Sequence, residues 1–386
     1  MRVALFTDTY LPDVNGVAKT LGRWAGFLRK KGIECKVFAP TGEERAAVRE
    51  PNSVERFFSL PFFLYPECKF AVPNPIHINK TLHDFKPDII HVATPFNLGL
   101  YGSHYARKHG IPLVASYHTH FDQYAEFYKL QWMVPLFWKY MLWFHADCRK
   151  VYVPSPSALE HLKERGLKNL EVWSRGIQTE LFRDDICREA ALREFGIDPR
   201  KFVVLYVGRL APEKSIDVLL QAFEAVPEPV RSRMELVMAG DGPLRQELAE
   251  AQSRRGLPLR LLGYLHGERL SRLYAGSDVF LFPSVTETFG NVVLEAMACG
   301  TPVIGAAAGG VKDNVRHGAT GLLCPPGDAA AFAQALLTLY DSPGLLKRLG
   351  AGGRHYALTQ SWDSVFERLL SSYRGLLEKE QTAGVV

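Results

Sequence analysis

The chain has 386 residues, 47% of them hydrophobic and 23% charged, with a formal net charge of +5. That length suits two domains of comparable size, and the composition excludes a disordered or fibrous chain. The modest positive surplus, with no recognition motif beside it, speaks against a nucleic-acid binder, and no apolar run approaches the ~20 residues of a membrane-spanning helix. The opening "MRVALFTDTYLPD" has Asp, Tyr and Pro where a signal peptide keeps its apolar segment, so the expected location is cytoplasmic. Six cysteines, at 35, 68, 148, 187, 299 and 324, include no close pair and read as reduced, packed thiols.

Charge is unevenly spread. Residues 1–177 hold 23 Lys and Arg against 16 Asp and Glu, whereas the remainder hold 23 against 25. The basic half is therefore a candidate for meeting something anionic.

Along the chain, "RVALFTD", "CKVFAP", "DIIHVA", "PLVASYHT" and "KVYVPS" are predicted strands, each ending in turn or polar residues. Between them lie helical stretches such as "AKTLGRWAGFLRKKG", with apolar residues at helical spacing and a closing Gly32. This alternation calls for a parallel sheet with helices on both faces, and places a first Rossmann-like domain at 1–177. Residues 178–198 read as a connector with a short helix of its own. The pattern then restarts over 199–360 with "FVVLYVGRL", "MELVMAGDG", "LRLLGYL", "DVFLFPS", "TPVIG" and "TGLLCPPG" as strands. The expected fold is α/β: two doubly wound domains facing across a cleft, with ligands beyond the carboxyl ends of the strands.

A complete G-x-G-x-x-G turn and a P-loop are both absent, which leaves a dehydrogenase or an ATPase without support. After the first strand, Asn15-Gly16 precedes a helix, where a Gly lets backbone N–H groups approach a phosphate or simply turns the chain. Arg209 and Lys214, in "VGRLAPEKSID", follow a strand and can converge on one anion; two solvated loop charges is the competing reading. "AGDGP" ends another strand with Gly240 in a glycine-rich turn. In "SVTETFGNVVLEAMACGTPVIG", Glu287 lies in a loop, Phe289, Gly290 and Asn291 open a helix, and Glu295 lies within it. First-turn N–H groups can hold a phosphate or a sugar hydroxyl, and a carboxylate suits vicinal hydroxyls, one glutamate for each sugar.

"ETFGNVVLEAMACGTPVI", "VGRLAPEKSID", "GDGP", "YAGSDVFLFPS" and "GG…HGATGLL", in this order, resemble family 4 of the retaining glycosyltransferases, of GT-B fold, over nearly the whole chain. The resemblance implies a nucleotide-diphosphate sugar as co-substrate and no metal or other cofactor. It further implies that Glu295 binds the ribose and Glu287 the transferred sugar. By the same resemblance, Phe289 and Gly290 are expected to lend backbone donors, and Arg209 and Lys214 to neutralise the departing diphosphate. Gly16 is expected from it to allow the first domain's loop to close over the phosphates, and His118 in "ASYHTHFDQY" matches the family's histidine beside the donor sugar. Relatives commonly carry Asp where this chain has Gln178, and Asp313, after the Gly309-Gly310 pair, is assigned no role; Arg175 matches a position near the linker. The last helix, within 361–386, is expected to return to the first domain.

His118, His120 and Asp122 would share a strand face, a spacing that suits a metal as well as a sugar, and the metal-free reading is the one adopted. The expected acceptor is a lipid or a glycan. Lys129–Lys150, rich in aromatics and ending in Arg149-Lys150, reads either as core or as a surface that contacts an anionic membrane. The segment "IHVATPFNLGLYG…SYHTHFDQYAEFY" is also similar to glycolipid-forming glucosyl, mannosyl and sulfoquinovosyl transferases, and the donor expected is UDP-glucose or GDP-mannose, with a membrane lipid such as diacylglycerol as acceptor. The alternatives are a nucleotide-sugar epimerase of the same fold and a non-catalytic nucleotide-sugar-binding scaffold.

Overall fold

Apolar runs without alternation build both sheets. β1 (Arg2–Phe6) is buried from Val3 onward and β10 (Phe202–Val207) from Val203 onward, because a parallel strand covered on both faces must be apolar at every position. The computed structural model describes residues 1–13, 15–41, 53–61, 69–118 and 131–383. They divide into two compact units, the first taking 1–118, 131–174 and 363–383, the second 175–362.

In the first unit, β1 pairs with β2 (Glu34–Pro40) on one side and β6 (Ile89–Val92) on the other. β3 (Val54–Phe57) extends the sheet beyond β2, while β7 (Leu113–Ser116), β8 (Lys150–Val153) and β9 (Leu170–Val172) extend it beyond β6. The order is β3-β2-β1-β6-β7-β8-β9, every neighbouring pair parallel, with a separate antiparallel pair of β4 (Ser59–Pro61) and β5 (Lys69–Ala71). Helix Gly16–Lys30 starts at Asn15, whose side chain accepts from the Ala18 N–H at 2.8 Å, and carries Arg29 and Lys30 in its last turn. Helix Trp362–Ala383 sends Phe366 and Tyr373 onto Trp24, with ring centroids 5.4 and 5.6 Å away.

The second unit adds β11 (Met234–Ala239), β12 (Leu259–Gly263), β13 (Val279–Phe282), β14 (Val303–Ala306) and β15 (Gly321–Cys324) to β10, in the all-parallel order β12-β11-β10-β13-β14-β15. Each sheet grows outward from its first strand and then resumes on that strand's other side, so the order reverses at β1/β6 and at β10/β13. A crevice opens at such a reversal, because consecutive connections leave toward opposite faces. All six strands expected in the second unit are present. In the first unit, the edge strands β3 and β9 join the five that were expected.

Just past β1, the buried Asp8 carboxylate accepts from the Thr94 hydroxyl at 2.7 Å and from the Leu98 N–H at 3.2 Å, at the start of helix Asn97–His109. Burial outweighs these bonds and pushes the Asp8 carboxyl up from 3.8 to about 7. The folded state thus keeps a proton that the unfolded chain releases near pH 4. The associated stability is full below that pH and is lost as pH rises through about 7, a change on the order of 4 kcal/mol. Asp8→Asn removes this dependence: urea melts should show the wild-type minus variant stability falling between pH 4 and pH 8, and a constant difference would contradict the assignment.

Candidate active site

The second sheet presents its chemistry beyond the ends of β10, β11 and β13. At β10, Gly208 leads into Arg209, whose carbonyl accepts from the Tyr206 hydroxyl at 2.9 Å. A Cβ at Gly240 would lie 1.8 Å from the Gly208 carbonyl oxygen, and one at Gly242 2.4 Å from that of Leu210. The glycines of "AGDGP" therefore let the β11 loop lie directly against the Arg209 loop, so the close approach at Gly240 is to the protein's own backbone.

The Arg209 guanidinium is 3.5 Å from the carboxylate of Glu213, which is completely buried and whose oxygens have no hydrogen-bond partner among the described residues. Lys214 closes the short 3-10 turn Pro212–Lys214, and its Nζ stands 2.5 Å from Glu287 Oε1. Both members of that pair are mostly buried, with 12% and 18% of their side chains exposed, so the attraction acts in partly desolvated surroundings. Ser284 Oγ donates to the same Glu287 oxygen at 3.4 Å, and Thr286 Oγ1 donates to the Glu213 carbonyl at 3.0 Å, tying the β13 loop to the β10 loop.

The β13 loop is fixed from its other side by helix Gly309–Asn314. Gly310 N–H donates to the Glu287 carbonyl at 2.7 Å, and Asn314 Nδ2 donates to that of Phe289 at 2.5 Å. Gly290, at φ +81°, is the cap before helix Asn291–Ala298. That left-handed backbone suits glycine, and the turn it makes presents the helix's first N–H groups beyond the strand end. Asn291 Oδ1 is buried with no partner among the described residues. Glu295, one turn further, accepts from the Tyr274 hydroxyl at 3.2 Å. Burial first, and the Glu295 charge second, push the Tyr274 phenol well above its usual range, so it remains a donor.

Arg209, Lys214, Glu287, Phe289, Gly290, Asn291 and Glu295 thus gather at the β10/β13 reversal of the second unit. Gly16 and His118 belong to the first unit. Gly16 is the exposed first residue of its helix, and His118 Nε2 lies 2.8 Å from Ser116 Oγ, just past β7. Arg175 is buried, which pushes its guanidinium down to about 10. His120, Asp122 and the start of Lys129–Lys150 lie outside the described residues. Sequence reasoning missed Glu213, Ser284 and Tyr274. Tyr274, inside "RLYAGSDVFLFPS", carries only a core signal until the fold brings it to Glu295.

Residues 14–181 match the model of Glycosyltransferase Family 4, and residues 188–356 that of Glycosyl transferases group 1. The chain is 33% identical over 390 residues to a GDP-mannose-dependent alpha-mannosyltransferase of Mycobacterium tuberculosis, covering 99% of this chain and 98% of that one. It belongs to glycosyltransferase family 4. Sulfoquinovosyl transferase SQD2 of Arabidopsis thaliana is 31% identical, with 94% and 71% of the two chains covered. Alpha-monoglucosyldiacylglycerol synthase of Streptococcus pneumoniae is also 31% identical, with 79% and 70% covered. The solved structure of sucrose-phosphate synthase from Thermosynechococcus elongatus, at 21% identity, superimposes with a TM-score of 0.83 over 98% and 100% of the chains, so the fold is GT-B.

In this glycosyltransferase, Gly310 sets where the β13 loop lies, since a Cβ there would meet the Phe289 Cα at 2.3 Å. Gly310→Ala should displace the loop that carries Glu287. We expect the melting temperature to fall by several degrees, corresponding to roughly 1–3 kcal/mol, together with weakened nucleotide-sugar binding by calorimetry. An unchanged melting temperature with unchanged affinity would show that the contact yields cheaply.

Proposed function

We propose that the chain is a retaining α-glycosyltransferase that moves a hexose from a nucleotide-diphosphate sugar to a hydroxyl of a membrane lipid such as diacylglycerol, with no metal. The observation that carries the reading is the gathering of Arg209, Lys214, Glu287 and the Gly290 helix start at one strand-order reversal. The reaction breaks the bond between the anomeric carbon and the diphosphate oxygen, and the electron pair leaves with the diphosphate. The acceptor oxygen attacks from the face of departure, and its proton passes to the leaving diphosphate.

Two cations and first-turn N–H groups aimed at the diphosphate stabilise the charge that grows there, the task a metal ion would otherwise take. In this reading Lys214 turns from Glu287 toward the diphosphate, and the Glu287 carboxylate accepts from the sugar's hydroxyls. Glu295 accepts from the ribose, with Tyr274 holding one of its oxygens. GDP-mannose is the first donor to test, because the mycobacterial relative is named for it, and UDP-glucose is the second. In a thermal-shift panel, the true donor should stabilise the protein by about 2.7 kcal/mol at a hundredfold excess over its dissociation constant. Lys214→Ala should lower kcat by about 10²–10³-fold in the folded protein. Near-normal turnover in that variant would refute the role.

Helix Val134–His145 supports a lipid acceptor. It buries Trp138, Met141, Phe144 and His145 in the first unit, yet Trp132 just before it, with Leu136, Lys139 and Trp143, forms an exposed stripe at helical spacing. The helix is thus core on one face and solvent-facing on the other. A stripe of tryptophan and leucine with a lysine among them suits the interface of an anionic bilayer, which supports the reading that the enzyme works at a membrane surface. Paired Leu136→Glu and Trp143→Glu changes should weaken co-sedimentation with phosphatidylglycerol-containing vesicles about tenfold. Equal sedimentation of variant and wild type would dismiss the surface.

A further inference from the structure

A chain of hydrogen bonds crosses the first unit from the C-terminal helix to His118. Tyr373 Oη lies 2.6 Å from His91 Nδ1, His91 Nε2 lies 2.9 Å from Ser116 Oγ, and Ser116 Oγ lies 2.8 Å from His118 Nε2. His91 is on β6, Ser116 ends β7, and Tyr373 and His91 are fully buried. Trp173 packs against both imidazoles with ring centroids 6.0 Å away, and Tyr152 and Tyr373 flank His91. None of these inner residues carries a motif, and nothing in the proposed reaction uses them.

We propose that Tyr373, His91 and Ser116 act as positioning residues that fix the His118 imidazole as the tautomer protonated on Nδ1, so that it meets the donor sugar as an N–H donor.

The direction of the chain follows from its buried end. Burial pushes the His91 imidazole down to about 3, so it is neutral at working pH and has one N–H to share between two neighbours. If Tyr373 donates to Nδ1, then Nε2–H donates to Ser116, whose own hydrogen goes to His118 Nε2, and every donor is matched. If the chain ran the other way, His91 would donate to Tyr373, and the tyrosine hydrogen would need another acceptor. Among the described residues, His91 is the one acceptor within hydrogen-bond distance of that hydroxyl. The Trp24 indole lying against Tyr373 has only an N–H to offer. The reverse direction strands a buried donor, so the forward one prevails. His118 Nε2 is then an acceptor, and a neutral ring must carry its proton on Nδ1.

The consequence for catalysis rests on the reading that His118 lies beside the donor sugar, whereas the tautomer itself does not. The test is therefore spectroscopic first. Nitrogen chemical shifts of the His118 ring in the isotopically labelled, full-length protein should show protonated Nδ1 and bare Nε2. Tyr373→Phe, which removes one oxygen from a site of unchanged shape, should shift that signal toward the Nε2-protonated form. Ser116→Ala, which cuts the chain beside His118, should do the same with the tyrosine intact. A wild-type His118 protonated on Nε2, or a tautomer unmoved in both variants, overturns the proposal. Turnover with the donor identified by thermal shift should fall about tenfold in Tyr373→Phe. If the tautomer shifts while kcat and KM stay at wild-type values, the hydrogen-bond chain stands and the placement of His118 at the sugar fails.

Discussion

Two adjacent glycines, Gly309 and Gly310, let the turn after β14 lie directly on the loop after β13, and the carboxylate side of the site depends on that contact. Side chains there would meet the Glu287 carbonyl oxygen at 2.5 Å and the Phe289 Cα at 2.3 Å. Glycine removes the obstacle, the Gly310 N–H bonds the Glu287 carbonyl, and Asn314 takes the Phe289 carbonyl. With its backbone held from outside, the loop can spend the Glu287 side chain on Lys214 and leave the helix start at Gly290 facing outward. Gly240 and Gly242 repeat the device one loop away, where the loop after β11 touches the backbone of Gly208 and Leu210 on either side of Arg209. Glycine at these points serves proximity between loops, which in turn brings the charged groups together.

The charges follow a common scheme. Arg209 is set against Glu213, and Lys214 against Glu287, so each cation is balanced by a carboxylate of the chain. A bare cation in so buried a place would destabilise the fold, and a fully satisfied one would ignore an anion. The two pairs differ in what can be released. Glu213 is completely enclosed and stays with Arg209, whereas Glu287 and Lys214 both keep some exposure. In the proposed reaction, exchange of Glu287 for a diphosphate at Lys214 would free that carboxylate for hydroxyls, so one rearrangement would ready both halves of a nucleotide sugar.

The second unit was legible because its six strands are apolar runs closed by Gly, Pro or Ser, and such runs have few alternatives to a doubly covered parallel sheet. The edge strands β3 and β9 were not: "VERF" and "LEV" are short, charged and partly exposed, and pairing with a neighbour is what makes them strands. Arg209, Lys214, Glu287 and Glu295 stood out by their places after strands, yet nothing local told that Lys214 and Glu287, 73 positions apart, would touch. That contact needs β10 and β13 side by side, a property of strand order. Likewise, Lys129–Lys150 was read as either core or membrane-facing, when the described helix presents one face to the core and the other to solvent.

His91, Ser116 and Tyr373 show where reading by residue type ends. A histidine within "DIIHVA" and a tyrosine in an amphipathic helix are ordinary core residues in sequence, and 282 positions separate them. They meet because the C-terminal helix packs within the first unit, against Trp24. Burial then turns a structural contact into a directional one. In water each hydroxyl and imidazole could exchange partners, but in the interior every hydrogen must be assigned, and the assignment propagates from the enclosed end to the exposed one. The helix farthest along the chain thereby determines which nitrogen of His118 carries a proton, with no residue of that helix needing to touch a substrate.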